Sequence, residues 1–595
     1  MTCGVFSNSI IATVISFPEI TEPVFKLDTQ GRFMLYGGIL IYAAIVVLIG
    51  WWASRRVNNM SDFLVAGRRL PLWMASATLL ATWFGAGPSM AATGAVFEKG
   101  GLKNIIADPF AAAISLILAG IFIVGILRRN RLLTVTEIVE KKFGVAAGVY
   151  TSIWMIPVYV GWLSAQVLGM GKLLQLVLGV STPIGTLIGA GIVLLYTIAG
   201  GMWAVTITDV VQVALIIVGL LIIVPGAVNG VGGFGELFAN ISPEELSLLP
   251  EGGQDFNYYV IYIGNWMIMG LGCMVGQDLI QRSLASKNEQ VAVSSSLIAG
   301  FAYLMLAIVP LTIGFAGRII FPNFSIEHAE YVLPMVAQSM LSPVFFTIFL
   351  SALIAAIMSS ADSSLLACSS LIVNNIIKPF SQERNQQKQL ILTRWITCII
   401  WGCSTLLALY AESIYTLMTN CWASQLVIVF IPVVAALYLK RSTKRSCWIC
   451  MTASTVVWIG YVIIAGHLDE DTFTIGAVYG FATGIVAFLA SHLSEKISRT
   501  GNIGSLIVGV LFGAFFEFIA LVTDKMLPRL SFWAILTGAA AYGITLIFTY
   551  WGERLLNYYV HHEASETQHF RSNNNRDEYK PARRRSRRNY YDKNA

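Results

Sequence analysis

The sequence predicts an all-α membrane protein that crosses the bilayer about fifteen times. Composition is the first indication, because 56% of the 595 residues are apolar and only 12% are charged, about half of the charged fraction in soluble domains. The second indication is that the apolar residues form continuous runs of about 20 residues, the length of a membrane-spanning helix. The third is that positive charges recur in every second loop, as expected for cytoplasmic loops.

The apolar runs define the order of the predicted spans. Thirteen of them, between residues 33 and 492, form one membrane core, and two additional spans follow within 493–550. The runs lie at 33–54, 72–97, 103–127, 148–178, 182–199, 205–228, 257–279, 293–316, 342–374, 390–411, 414–439, 446–466, 474–492, 503–523 and 531–550.

The loop charges predict which end of each span faces the cytoplasm. Arginines and lysines cluster after odd-numbered spans, whereas the connection 229–256 has neither and carries five acidic residues. By the positive-inside rule, the N-terminal segment 1–32 is extracytoplasmic and the basic tail 551–595 is cytoplasmic. We expect a multi-pass protein of the cell membrane, whose tail lies beside membrane lipid and binds no nucleic acid.

The ninth run carries the most informative polar face of the chain. On a helix, Ala356, Ser359 and Ser360 share one face. Ser359, Asp362 and Ser363 form the adjoining face. Serines alone also fit bonding to the helix backbone or packing between helices. An ionisable group at this depth is costly, however, and marks an ion or substrate pathway. The oxygen-rich face therefore predicts a site for a hard monovalent cation such as sodium.

Two spans contain glycines at positions where a membrane helix would break, and the first of the two also has a proline there. The second span has Gly85, Gly87 and Pro88 near its middle, and the seventh is interrupted between Gly270 and Gly276. A simple proline kink is the alternative for the second span. Counted from the second span, the two are the first and sixth helices of a five-plus-five inverted repeat. Such a pair predicts a binding site at the bilayer midplane.

The motifs of enzymes are missing from the sequence. It contains six histidines and shows no His-rich cluster, nucleophile–base pair or phosphate-binding loop. We therefore expect neither an enzyme nor a cofactor. A solute sensor would need a cytoplasmic signalling domain, and the tail of about 45 residues is too short for one. A sensor without such a domain, a passive channel and a proton-coupled carrier remain alternatives.

Five segments together resemble the sodium:solute symporter family in order and spacing. They are 63–69 (FLVAGRR), 81–87 (ATWFGAG), 200–212 (GGMWAVTITDVVQ), 276–282 (GQDLIQR) and 358–364 (MSSADSS). The resemblance runs from about 33 to 490 and implies a leucine-transporter-like fold with flanking helices. It implies sodium-coupled import of a small organic solute by alternating access.

The resemblance also implies ligands for the coupling ion, Na+. The first sodium would be held by the backbone carbonyls of Ala81, Phe84 and Ala356 and by the hydroxyls of Ser359 and Ser360.

A second sodium is implied by some members of the family. It would use Asp209 together with Ser359, Asp362 and Ser363. Asp362 stands where the sialic acid transporters have serine, which favours a tighter ion site or participation of a proton. A helix cap at the start of the sixth span is the alternative role for Asp209.

The resemblance leaves the substrate open between choline-like amines and zwitterions such as proline or betaine. Segment 332–370 most resembles the high-affinity choline transporters, and Trp83 and Trp162 fall at positions of their aromatic cage. The other cage positions differ, because Ala112 replaces a tyrosine and the regions of Gly276 and Met418 lack a ring. The residues expected to contact substrate are Trp83, Gly85, Trp162, Gln166 and Gln277. The oligomeric state does not follow from the sequence.

Overall fold

The computed structural model describes residues 29–497, except 58–59, 251, 325, 382–384, 412 and 467–468. Within these residues all regular structure is helical, apart from one isolated bridge between Leu70 and Ser286. Eleven of the helices are long and apolar enough to cross a membrane. Two shorter apolar helices, Leu72–Trp83 and Thr182–Leu195, coincide with the predicted second and fifth spans. The predicted spans 503–523 and 531–550 and the basic tail lie outside the described residues, so the count of fifteen stays a prediction.

The α-helices are numbered here in chain order. They are α1 Thr29–Ser54, α2 Met60–Val65, α3 Leu72–Trp83, α4 Ala92–Lys99, α5 Ala112–Ala119, α6 Gly125–Arg129, α7 Thr136–Phe143, α8 Val145–Leu178, α9 Thr182–Gly230, α10 Phe234–Ala239, α11 Pro243–Leu246, α12 Phe256–Gly270, α13 Gln277–Ala285, α14 Glu289–Ile320, α15 Val332–Met340, α16 Pro343–Leu371, α17 Gln386–Tyr410, α18 Ile414–Ser424, α19 Ile431–Tyr438, α20 Lys444–Ala465 and α21 Glu470–Ile497.

Helix α16 is the central element of the described chain. Every residue from 349 to 371 is buried. Such burial is expected for a helix whose residues are mostly apolar or small on all sides. It packs against α1, α3, α8, α9 and α17. The serines and Asp362 of the predicted polar face are therefore enclosed by other helices rather than turned toward lipid.

The predicted break in the second span is confirmed. Helix α3 ends at Trp83, and Phe84 leaves the helical conformation with φ −88° and ψ 78°. A wide π-helical turn at Gly87–Ala91 then leads into α4. Because Pro88 has no backbone N–H and helical bonding stops at Phe84, carbonyl groups near the end of α3 are free for other partners.

The predicted break in the seventh span is also confirmed. Helix α12 ends at Gly270, and a 3₁₀ turn at Gly272–Val275 separates it from α13. Gly276 is extended, with φ −61° and ψ 132°, so that α13 begins afresh at Gln277. The inverted-repeat relation between the two broken spans stays a prediction.

A third break was not predicted. The sequence predicts a continuous span over 103–127, but Asp108 is non-helical, with φ −135° and ψ 117°. Its neighbour Pro109 explains the deviation, because proline disfavours the helical conformation of the residue before it. The break places a carboxylate where a regular helix would have continued.

The predicted fifth and sixth spans are joined in one element, α9, which bends at Gly201. This glycine has φ +52° and ψ −149°, a conformation that is essentially restricted to glycine. A Cβ atom on Gly201 would also lie 2.5 Å from the ring of Phe63 and 2.7 Å from its carbonyl oxygen. The bend therefore depends on the missing side chain.

We expect Gly201→Ala to destabilise the protein by about 1–3 kcal/mol, the usual cost of such a backbone conformation. Gly191→Ala is the matched control, because it lies in the same helix and a Cβ there would meet nothing within 4 Å. Thermal unfolding in detergent micelles measures both. Equal unfolding temperatures for the two variants would contradict the role of Gly201.

Candidate ion and substrate site

The broken end of α3 meets the polar face of α16. Ser359 Oγ lies 2.7 Å from the carbonyl oxygen of Ala81 and 2.9 Å from that of Ala356. Ser360 Oγ donates to the carbonyl oxygen of Thr82 at 2.7 Å. The structure thus brings together Ala81, Ala356, Ser359 and Ser360, four of the five residues predicted to hold the first sodium. The fifth, Phe84, lines a small cavity beside Ala356.

The unwound segment after α3 is held between α16 and α8. A Cβ atom on Gly85 would lie 2.3 Å from Ser360 Oγ and 2.5 Å from Gln166 Oε1. Gln166 accepts a hydrogen bond from the backbone N–H of Ala86 at 2.9 Å. Gly85 and Gln166 therefore hold the backbone at the break in place. Their contact with substrate stays a prediction.

A small cavity lies beside the break. Four aromatic rings contribute to its wall, together with one carboxylate. Its lining residues are Trp83, Asp108, Ala112, Trp162, Met269, Cys273, Tyr303 and Trp422.

Two of the four rings were not expected from the sequence. Trp162 and Trp422 lie with their centroids 5.3 Å apart, and Trp83 meets Tyr303 edge-on at 6.4 Å. Trp422 lies one helical turn after Met418, in a region where the sequence comparison predicted no aromatic ring. The i, i+4 relation on a helix is the signal that could have found it. Tyr303, on α14, has no such local signal.

Trp83 is oriented by the second broken span. Its indole N–H donates to Asp278 Oδ2 at 2.8 Å, and Tyr159 donates to Asp278 Oδ1 at 3.0 Å. Asp278 lies in the first turn of α13, immediately after the break at Gly276. The two broken spans and α8 thus determine together where the Trp83 ring stands.

Asp108 is the carboxylate of the cavity. It lies at the unpredicted break and is only 7% exposed. Tyr303 donates a hydrogen bond to its Oδ1. None of the residues that line this cavity carries a positive charge. The cavity therefore combines aromatic faces with one buried carboxyl group.

Gln277 lies apart from this cavity. Its side-chain amide donates to Ser370 Oγ at 3.0 Å, and its Oε1 accepts from the backbone N–H of Val135 at 2.8 Å. These contacts connect α13 to α16 and to the loop before α7. Direct contact between Gln277 and substrate stays a prediction.

A second buried polar cluster adjoins the polar face of α16. Thr78 on α3 donates to Asp209, and Ser363 lies 3.0 Å from Asp362 Oδ1. Arg282 on α13, completely buried, donates to Ser363 Oγ. The residues predicted for a second sodium are thus near one another, and an arginine to which the sequence assigned no role lies among them.

An ion pair lies near the C-terminal end of α8. Lys172 and Glu330 are 2.5 Å apart, and their side chains are 12% and 14% exposed. Glu330 also accepts from the backbone N–H of Ile414 at 2.9 Å. The pair therefore connects α8, the segment before α15 and the start of α18.

Comparison with known proteins is consistent with this geometry. Human high affinity choline transporter 1 is 29% identical over 427 residues, covering 68% of this chain and 72% of that protein. The osmoregulated proline transporter OpuE of Bacillus subtilis is 24% identical over 472 residues, covering 77% and 94%.

The fold is shared with a Na+-coupled sialic acid symporter solved in a substrate-bound, outward-open state. The TM-score is 0.66 at 18% identity, covering 78% of this chain and 98% of that one. The model of the sodium:solute symporter family matches residues 63–453, which include the two confirmed breaks and the polar face of α16. The chain belongs to the sodium:solute symporter family and is therefore a multi-pass membrane transporter rather than an enzyme.

Proposed function

We propose that the protein imports a small cationic amine of the choline class, with sodium as the coupling ion. The observation that carries the proposal is the cavity lined by four aromatic rings and Asp108. Cation–π attraction contributes about 0.5–2 kcal/mol when an ammonium group sits over such a ring. Four rings supply the enclosure that Trp83 and Trp162 alone would not.

The charge of the cavity favours a cation over a zwitterion. Proline and betaine carry a carboxylate, which would face Asp108 without a positive residue in the wall to receive it. Like charges at short range in a low-dielectric site repel strongly. An ammonium ion without a carboxylate instead neutralises Asp108. The similarity to choline transporters supports the same choice.

We place the coupling ion where α3 and α16 meet. The carbonyl oxygens of Ala81 and Ala356 each lie within 3 Å of the hydroxyl oxygen of Ser359. Oxygen ligands without charge suit a hard monovalent cation, by the same preference that calcium and magnesium show for oxygen. Phe84 and Ser360, on the same two segments, complete the proposed set.

The proposed ion site and the cavity are connected through neighbouring residues of the second span. Ala81 contributes to the ion site and Trp83, two residues later, to the cavity wall. Sodium would hold the end of α3 against α16 and thereby stabilise the conformation in which Trp83 receives the amine. Coupling requires that sodium bind this conformation better than its alternatives, since equal affinity shifts no population.

We propose alternating access around this site, with the N-terminus outside and the C-terminus in the cytoplasm. In this orientation the ion pair of Lys172 and Glu330 lies on the outer side of the cavity. It would hold the outer path closed and would separate when the path opens.

We expect a sodium gradient to drive uptake of labelled choline into proteoliposomes, and Ser359→Ala to weaken the response to sodium. Loss of one contact to a charged partner costs about 1.5–3 kcal/mol, so the half-saturating sodium concentration should rise at least about tenfold. Ser369→Ala is the control, because this buried serine of α16 contacts Leu365 and Thr397 instead. Uptake driven equally by a proton gradient in potassium would contradict sodium coupling.

The charge of Asp108 is tested with a pair of ligands of the same shape. In Asp108→Asn the hydrogen bond to Tyr303 can persist while the negative charge is lost. We expect choline binding to weaken by about 10–100-fold, an effect typical of losing a buried ionic partner. Binding of the uncharged isostere 3,3-dimethyl-1-butanol should change little. Competition against labelled choline measures both, and an equal loss for the two ligands would refute the electrostatic role.

Trp422 is tested by keeping or removing its ring. Trp422→Phe should retain most of the choline affinity, whereas Trp422→Ala should lose roughly 0.5–2 kcal/mol from the missing cation–π contact. Binding of choline by scintillation proximity, with both variants checked for monodispersity, measures the difference. Equal affinities for the two variants would place Trp422 outside the substrate contacts.

The outer closure is tested with the natural thiol of the cavity. Glu330→Gln removes the ion pair with Lys172, and we expect faster labelling of Cys273 by a membrane-impermeant maleimide added outside. The background from other cysteines is measured in Cys273→Ser. An unchanged labelling rate would show that the pair does not restrain the outer path.

A further inference from the structure

We infer that Asp278, which does not line the cavity, is the residue that positions the aromatic wall for the amine. The inference deepens the proposed function and, as far as choline is concerned, rests on it. Asp278 is completely buried in the first turn of α13, and each of its two carboxyl oxygens has an aromatic partner. One partner, Trp83, belongs to the cavity wall, and the other, Tyr159, packs against two further rings of that wall.

The bond to Trp83 restrains the first ring. An indole N–H can only donate, so Asp278 Oδ2 is the acceptor, at 2.8 Å. Trp83 is the last residue of α3, and the backbone leaves the helical conformation at Phe84. The bond from α13 therefore supplies a restraint at the point where the helical hydrogen bonding of α3 stops.

Tyr159 connects the same carboxyl group to two more rings. Its hydroxyl accepts from the backbone N–H of Gln277 at 2.5 Å, which leaves its own proton for Asp278 Oδ1 at 3.0 Å. The centroid of the Tyr159 ring lies 6.3 Å from that of Trp162 and 6.4 Å from that of Trp422. Aromatic pairs at such separations have preferred orientations, so a fixed Tyr159 restrains both tryptophans.

One carboxyl group is thus connected to three of the four rings of the wall. The fourth ring, Tyr303, meets Trp83 edge-on. Cation–π attraction requires that the cation lie over the face of a ring, within about 6 Å of its centroid. Because the orientation of the rings decides how well an ammonium group is held, Asp278 sets the affinity for the amine without touching it. It is a positioning residue.

Arg282 is the charged residue that faces Asp278. It donates to the backbone carbonyl oxygen of Asp278 at 3.1 Å and interacts electrostatically with the carboxyl group. Removing that group therefore also affects stability, because it takes a partner from a buried charge. Asp278→Leu and Asp278→Asn both remove it. Only the asparagine keeps an oxygen that can accept from Trp83 and an amide that can donate to Tyr159, so the difference between the two variants reports the hydrogen bonds.

The orientation of Trp83 is measured without any ligand by near-ultraviolet circular dichroism, which reports fixed aromatic packing. The signal of Trp83 is the difference between the protein and Trp83→Phe. We expect this difference to be smaller when it is measured in an Asp278→Leu background and to be retained in an Asp278→Asn background. Equal differences in all three backgrounds would overturn the inference.

Affinity for labelled choline tests the consequence for the substrate. We expect Asp278→Leu to weaken binding at least about fivefold, from two lost hydrogen bonds, with an unchanged number of sites per folded molecule. Asp278→Asn should stay within about twofold of the wild type. In a Trp83→Phe background, which lacks the indole donor, Asp278→Leu should cost less than in the wild type. Equal losses in the two backgrounds, or equal affinities of the leucine and asparagine variants, would overturn the inference.

Tyr159→Phe decides the question if Asp278→Leu fails to fold, as judged by size-exclusion chromatography. It keeps the carboxyl group and should weaken choline binding about 2–10-fold, the effect of one lost hydrogen bond. Tyr150→Phe is the matched control on α8, because that hydroxyl contacts Thr455 and its ring packs on Trp154 and Trp448 instead of the cavity wall. Equal affinities of the two phenylalanine variants would contradict the role of Asp278.

The outcomes separate the inference from the proposed function. A wild-type protein that binds no choline would overturn the proposed substrate, and the circular dichroism of Trp83 would then decide the role of Asp278 by itself. Choline binding that is unaffected by Asp278→Leu would overturn the role of Asp278 and leave the proposed substrate standing.

Discussion

The contact between the serine hydroxyls of α16 and the carbonyl oxygens at the end of α3 is the interaction on which the site depends. A helix that stops inside a membrane leaves polar backbone groups that must be satisfied by protein. Ser359 and Ser360 supply this compensation at 2.7 Å for two successive carbonyls. Gly85 makes the approach sterically feasible, because any side chain there would collide with Ser360. The break in the second span, the serines of α16 and Gly85 therefore depend on one another.

The same break determines the cavity. Because α3 ends at Trp83, the indole stands at the edge of the unwound segment and is held there by Asp278 from the other broken span. The break at Asp108 adds a carboxylate from a third span. Three irregular segments thus meet around one space, which is where a membrane protein tolerates non-helical backbone. Trp83 and Asp108 lie at these segments, and regular helices close the cavity with the rings of Trp162, Tyr303 and Trp422.

Local sequence signals were enough to predict a large part of this arrangement. Glycine and proline marked the break in the second span, glycines alone marked the break in the seventh, and helical periodicity placed Ser359 and Ser360 on one face. Periodicity cannot say which distant helix closes a cavity, so Tyr303 was missed. Asp108 was missed although Pro109 follows it, because one proline in a long apolar run is compatible with a simple kink. Arg282 belongs to one of the sequence motifs, but its burial near Asp209 and Asp362 depends on tertiary packing and has no local sequence signal.

The covalent chain offers a physical reason for coupled loading. Ala81 contributes its carbonyl oxygen to the proposed ion site, and Trp83, two residues later, lines the cavity. An ion that holds the end of α3 against α16 would therefore also fix the position of the Trp83 ring. Because equal affinity for two conformations shifts no population, coupling requires that sodium bind the conformation with Trp83 in place more tightly than its alternatives. The break in the second span thus makes the binding of ion and amine depend on the same segment.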